Sequence, residues 1–287
     1  MKGGSSVRNS YFLPWQNRLL LFGLFCFAHM MPLLSSGQDT LLWVKSIPAA
    51  GLDKASQDTY GHLYISDVKG NINKYDSTGK FLLNYSPQKL GNVTLLEASN
   101  TIRIFVFYRD FQEYTMLERF LGPMPNSALD EEQVGFARQA TLGSDYNLWI
   151  IDETDFTLKK YDRQFNKVLF KTPLELLLDP RDYDINFLRE YQNNLYVNDK
   201  NSGLLVFDTF GSYKKRIGFK GLDFFSFHED ELYYMQNDTL FFFDLYLFTT
   251  REIPLPAGKK YKRVFWHNRK MYGIRQDGID IYESKKK

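Results

Sequence analysis

Beyond residue 40 the chain alternates between short runs of aromatic, aliphatic and β-branched residues and clusters of turn-forming ones. Asp58-Thr59-Tyr60-Gly61, Ser77-Thr78-Gly79 and Ser144-Asp145-Tyr146-Asn147 are such clusters. Runs of this kind, bounded by residues that tolerate tight backbone turns, predict strands joined by hairpins.

The runs repeat. His62-Leu63-Tyr64-Ile65-Ser66-Asp67, Asn147-Leu148-Trp149-Ile150-Ile151-Asp152 and Asn194-Leu195-Tyr196-Val197-Asn198-Asp199 are versions of one phrase, with weaker copies at Leu232 and Met271 and an apolar run at Ile104. Anchored at Leu63, Ile104, Leu148, Leu195, Leu232 and Met271, the spacings are 41, 44, 47, 37 and 39 residues. After each anchor comes an aromatic residue or leucine joined to an acid: Tyr75-Asp76, Leu117-Glu118, Tyr161-Asp162, Phe207-Asp208, Phe243-Asp244 and Tyr282-Glu283. Two registers repeating together predict six copies of one supersecondary unit.

Unit one divides into strands near Leu52 to Gln57, His62 to Ser66, Asn71 to Tyr75 and Lys80 to Tyr85. Four antiparallel strands per period of about forty residues describe a propeller blade, so the expected fold is an all-β, six-bladed β-propeller. Unit six offers only three strands before the chain stops, whereas Leu41 to Ile47 is a strand without a unit. The N-terminal strand is therefore expected to complete the last blade, which removes the free edges an open ring would leave. The aromatic content of 17% fits packing between twisted blades.

Residues before the propeller change the charge picture. Lys2, Arg8 and Arg18 precede an apolar run from Leu19 to about Leu34, followed by Ser35, Ser36 and Gly37. That order is the one of a secretory signal, and the run, broken by His29 and Pro32, is shorter than the ~18–20 residues of a membrane span. The expected organisation is a signal peptide over 1–37 and a single propeller over 38–287. Cys26, preceded by Phe25 and not by a small residue, lies in the signal and leaves with it. A mature chain without cysteine forms no disulfide and depends on its packed core. Cleavage removes three of 36 basic residues and none of 34 acids, changing the net charge from +2 to −1. Phosphate-backbone binding thus has no support, and no nucleic-acid partner is expected.

Asp67, Asp152 and Asp199 recur after the second strand of their units, and Asp76, Asp162, Asp208 and Asp244 after the third. Recurrence at a turn points to carboxylates that bond backbone N–H groups, not to catalysis. His62, His228 and His267 stand near first hairpins of different units, without metal-ligand spacing, and are expected to stay apart. Of the innermost strands only Glu97 and Asn186 offer hard-metal ligands, too few for a site, and no G-x-S-x-G, Walker or G-x-G-x-x-G motif occurs. No catalytic residue, metal or cofactor is assigned.

Departures from the repeat mark the candidate working face. Connections of unusual length run from Leu121 to about Gly135 and from Pro173 to about Asp182. They share a face with the hairpins bearing Asp110 with Phe111 and Asp155 with Phe156, which become the candidate binding residues.

The segments LYISD, NINKYDSTGKFL and LWIIDETDFTLKKYD resemble NHL-type and related six-bladed propellers over most of the mature chain. The end of the signal, Ser35-Ser36-Gly37-Gln38-Asp39-Thr40, resembles exported proteins of Bacteroidota-type bacteria, implying the periplasm or cell surface. Asp39-Thr40-Leu41 and Asp238-Thr239-Leu240 are similar to the short O-glycosylation signal of that group. Propellers of this shape include protein-binding scaffolds as well as lactonases, lyases and glutaminyl cyclases. The leading expectation is a non-enzymatic scaffold of the cell envelope that binds a protein partner through one face. The alternatives are a metal-dependent hydrolase or lyase, or a small-ligand binder, with the site in the central channel.

Overall fold

A computed structural model describes Met1, residues 39–49 and residues 51–285. The expected signal segment, apart from Met1, and Cys26 lie outside the described residues.

Six sheets of four antiparallel strands form the ring of a β-propeller. From the channel outward, each blade runs through strands A, B, C and D. Blade one comprises Leu52–Gln57, Leu63–Asp67, Ile72–Tyr75 and Phe81–Tyr85. Blade two comprises Leu95–Glu97, Arg103–Tyr108, Glu113–Glu118 and Ser127–Ala128. Blade three comprises Ala137–Leu142, Leu148–Asp152, Thr157–Asp162 and Lys167–Pro173. Ile185–Tyr191, Asn194–Asp199, Gly203–Asp208 and Tyr213–Ile217 build blade four. Phe225–His228, Glu231–Gln236, Thr239–Asp244 and Thr250–Pro254 build blade five. Blade six takes Arg263–His267, Lys270–Ile274 and Gly278–Lys285 from the end of the chain and Thr40–Pro48 from its beginning.

The repeat is a packing rule. Leu63, Ile104, Leu148, Leu195, Leu232 and Met271 are all fully buried, and so are the aromatic rings that follow them, Tyr64, Phe105, Trp149, Tyr196, Tyr233 and Tyr272. Successive strand residues point to opposite sheet faces, so burial of both means that strand B is covered on both sides by neighbouring blades. Strands D, at the rim, are half exposed, as in Phe81–Tyr85 and Tyr213–Ile217.

Closure follows the expected route: Thr40 pairs with Lys285 and Pro48 with Gly278, with one irregularity between Trp43 and Lys45. Blade six is also tied to blade one, through Tyr272 Oη donating to the Ser77 carbonyl (2.9 Å) and Arg263 Nη1 to that of Ala55 (2.7 Å). At Gly79 the backbone has φ +80°, and a Cβ there would lie 2.1 Å from Ile47 Cδ1. Only glycine meets both demands.

The two long connections differ from expectation in what they contain. Leu121 to Gly135 is more than a link: it holds the fourth strand of blade two, shortened to Ser127–Ala128, and the one-turn helix Glu131–Val134 capped by Asp130. Pro123 and Pro125 lack the N–H a ladder needs, which leaves only a bridge between Leu117 and Pro123 and a two-residue strand. The second connection folds inward, burying Leu174 and Leu178 in the core. Among the described residues no helix is long and apolar enough to cross a membrane.

Candidate functional site

Antiparallel pairing places A–B turns and C–D hairpins at one end of every blade, the A–B face, and B–C hairpins with D–A links at the other, the B–C face. The four candidate residues stand on the B–C face. Asp110 is exposed beside Arg109 (3.8 Å) in a single 3-10 turn. The half-buried ring of Phe111 lies on Gly91, where a Cβ would come within 2.3 Å of it, beneath Lys89 Nζ at 3.7 Å from its centroid. Phe156 packs against Tyr183, ring centroids 4.7 Å apart, and against the core. Asp155 accepts bonds from Thr157 Oγ1 and Lys171 Nζ (both 2.5 Å) and faces Lys159 Nζ at 3.2 Å. Partial burial works against its ionised form, but the bonds from Lys171 and Thr157 outweigh this and hold the carboxyl well below the usual range. Among the described residues no hydrogen bond or ring contact joins the two Asp-Phe pairs. Both phenylalanines are engaged in packing with the inter-blade links beside them.

The recurring acids do what turns require. Asp67 accepts from the backbone N–H of Lys69 and Asn71, Asp76 from Thr78 and Lys80, Asp208 from Phe210 and Ser212, and Asp244 from Tyr246 and Leu247. Asp162 and Asp199 cap their own turns in the same way. Asp152 also pairs with buried Lys159 Nζ at 2.6 Å.

The channel holds a buried ion pair of its own. Glu97 of blade two and Arg189 of blade four, 4% and 3% exposed, meet across the ring with Nε 2.5 Å from Oε2. Arg189 Nη1 donates to Ser226 Oγ of blade five (2.7 Å), and Glu97 Oε1 accepts from the Ser99 N–H (2.8 Å). Nη2 of Arg189 is buried with no partner among the described residues. Glu97 is thus engaged in an ion pair. Asn186, the other candidate ligand, donates to the carbonyls of Leu222 and Asp223 and accepts from Asn198 (2.5 Å).

Contrary to the expectation that the histidines stay apart, His228 and His267 line one cavity of about 400 Å³ at the A–B mouth, together with Asp58, Arg189, Tyr191, Phe227 and Trp266. The ring of His267 lies over Gly61, where a Cβ would meet it at 2.4 Å. Burial, and next the nearby His228, push its imidazole below its ordinary pKa. His62 is not part of the cavity lining and pairs with Asp58, Nδ1 to Oδ2 2.8 Å. Among the described residues no three His, Cys, Asp or Glu side chains form a metal-holding group.

The same face carries exposed aromatic tips. Phe120, Phe165 and Phe210 project from the C–D hairpins of blades two, three and four, and Tyr246, Leu247 and Phe248 from that of blade five, each more than 60% exposed. Arg119, Lys167 and Lys215 lie over Phe120, Phe165 and Phe248 at 5.7, 5.7 and 4.9 Å. Among the described residues, the exposed large apolar side chains on the turns of the B–C face are Val68, Leu90, Phe136 and Leu176, one of them aromatic. The hairpin aromatics were present in the sequence, two to four residues beyond the recurring acid, at turn tips where polar residues are the norm. Arg189 carried no comparable signal.

The fold is similar to solved structures of diverse proteins. A streptogramin B lyase matches with a TM-score of 0.59 at 12% identity, over 86% of this chain and 97% of that one. The β-propeller domain of Cps50 (Swd1) from Myceliophteria thermophila matches with a TM-score of 0.59 at 11% identity, over 85% and 99%. BamB from Moraxella catarrhalis matches with a TM-score of 0.50 at 12% identity, over 85% and 100%. No protein-family model and no curated protein matches the chain. At such identities the likeness establishes the propeller and leaves activity to the site.

Proposed function

We propose that the protein is a non-enzymatic binding scaffold, exported to the cell envelope, that docks a protein partner on its A–B face. The observation that carries this reading is the line of exposed aromatic tips on four consecutive blades, bordered by cations. Large apolar side chains held in water at equivalent positions are a standing cost unless a partner covers them. Aromatic residues beside arginine or lysine suit a partner surface with apolar and acidic groups. The B–C face has weaker support, because Phe111 and Phe156 are committed to packing within the protein. Export is supported by the N-terminal sequence pattern.

The test is crosslinking in the native envelope with two variants. Phe120→Ser/Phe165→Ser/Phe210→Ser/Leu247→Ser alters the hairpin tips, and Phe136→Ser/Leu176→Ser alters the opposite face. The expected result is a specific protein adduct with wild type and the second variant that the first variant loses. An adduct retained by the hairpin variant, or lost by the other, would overturn the assignment of the face.

A second reading, a small-ligand site in the channel mouth, is favoured by one specific observation, the unpartnered Nη2 of Arg189.

A further inference from the structure

We propose that the A–B mouth of the channel binds a small planar carboxylate, seated on the Arg189 guanidinium with its flat body between Tyr191 and Trp266. The proposal is independent of the hairpin tips. The cavity of about 400 Å³ is of ligand size.

The floor supplies the anchor. A guanidinium carries five N–H donors in a planar fork, and a carboxylate fits an edge of that fork with two parallel bonds. Arg189 gives Nε to Glu97 and one Nη1 hydrogen to Ser226, which leaves the Nη1–Nη2 edge incompletely used and Nη2 with no partner among the described residues. A buried donor in that state is costly, and an arriving carboxylate oxygen relieves it.

The charges around the cavity admit an anion. Glu97 pairs with one guanidinium, and the channel holds a second, Arg263: the two centres lie 5.7 Å (Arg189) and 4.6 Å (Arg263) from the Phe224 ring. Two further carboxylates near Arg263, Asp53 and Asp223, are paired with Lys54 and Lys200. Two guanidiniums and one carboxylate, Glu97, thus stand inside the channel, and an anion at the mouth meets Asp58 and the exposed Glu229 as well. At the mouth, Asp58 does not repel it strongly, since its oxygens accept from the N–H groups of Tyr60 and His62, the His62 ring and Tyr64 Oη.

The walls define the shape. Tyr191 is stacked on Phe227 at 4.1 Å and 4°, and its hydroxyl is fixed by donating to the Glu229 carbonyl at 2.6 Å. A wall held this rigidly offers a preformed flat surface at low entropic cost.

Benzoate and its uncharged isostere benzamide are the probes, titrated into the protein by calorimetry and by Trp fluorescence. Benzoate is expected to bind with one-to-one stoichiometry and at least tenfold more tightly than benzamide. Arg189→Lys keeps a cation for Glu97 but loses the fork, and is expected to weaken benzoate at least tenfold with little effect on benzamide. Should that variant not fold, the guanidinium 15N–1H signals of Arg189 in wild type serve instead, with a benzoate-dependent shift and a ligand-to-Trp266 nuclear Overhauser effect expected. No benzoate binding at millimolar concentration, equal affinity for benzamide, undiminished binding by Arg189→Lys, or signals shifting only elsewhere would each overturn the proposal.

Discussion

Removing either member of the Glu97–Arg189 pair should destabilise the whole ring, whereas removing both should not. The two groups are almost completely buried, the bond between them is 2.5 Å, and each has one further partner, Ser99 N–H for Glu97 and Ser226 Oγ for Arg189. Deleting one charge of such a pair strands the other in a low-dielectric interior, at a cost of roughly 3–5 kcal/mol. For a domain of this size a loss of 1 kcal/mol lowers Tm by about 2–4 °C, so Glu97→Leu or Arg189→Met should each lower it by roughly 6–20 °C. In the double variant no charge is stranded, and the Met side chain keeps packing surface against Phe187 and Phe224, the rings the guanidinium lies near at 5.3 and 5.7 Å. Its stability should return to within about 1–2 kcal/mol of wild type, giving a coupling of at least ~3 kcal/mol. Urea unfolding followed by circular dichroism completes the cycle. Single variants costing under about 1 kcal/mol, or a double variant costing the sum of the singles, would refute the reasoning, because the pair would then be effectively solvated.

Three further outcomes are expected. Truncation through Pro48 strips Gly278–Lys285 of one of its two partner strands, and the product should lack cooperative unfolding and self-associate, as read by calorimetry and size-exclusion chromatography. Gly79→Val places a β-branched side chain at φ +80° against Ile47 and Ile281 and should lower the denaturant midpoint by more than the ~1 kcal/mol of an ordinary turn substitution. Stability should also fall in two stages on acidification, measured as Tm from pH 8 to pH 3. Burial, and next His228, hold His267 below its ordinary value, with Asp58, His62 and Lys270 also facing it; the unfolded chain then takes the proton first, so stability declines as pH drops below about 6.5. Asp76, Asp145 and Asp155 are lowered by hydrogen bonds that outweigh their partial burial, and what they contribute is complete above the unfolded carboxylate value of about 3.9 and lost as pH falls below it. His267→Gln should remove much of the upper stage, and Asp76→Asn part of the lower.

The architecture was legible because each blade must solve the same packing problem. Leu63 and its five equivalents are buried for one reason, the recurring acids close one kind of turn, and the missing fourth strand of blade six could be matched to a spare strand at Leu41. Where the repeat is distorted, less of the structure shows in the sequence pattern. Pro123 and Pro125 hid the fourth strand of blade two inside what resembled a loop, since a strand with two missing donors leaves little alternation to see.

The channel was illegible for a different reason. Glu97 and Arg189 stand 92 positions apart on different blades, and neither occupies a place where the repeat shows a departure. Their meeting depends on the ring being closed and on Arg189 being long enough to cross it, which no local window contains. His228 and His267 converge on the same cavity for the same reason: A–B turns at the channel mouth approach one another, whereas C–D hairpins at the rim diverge. The rim, by contrast, could have been read. A turn tip is exposed by geometry, so an aromatic there in four consecutive units, against threonine at the matching position of unit one, is a departure from what the fold needs. Repeats explain why a ring forms; the positions at which a residue contradicts its own repeat, and the pairs that only the closed ring brings together, are where this propeller departs from a bare scaffold.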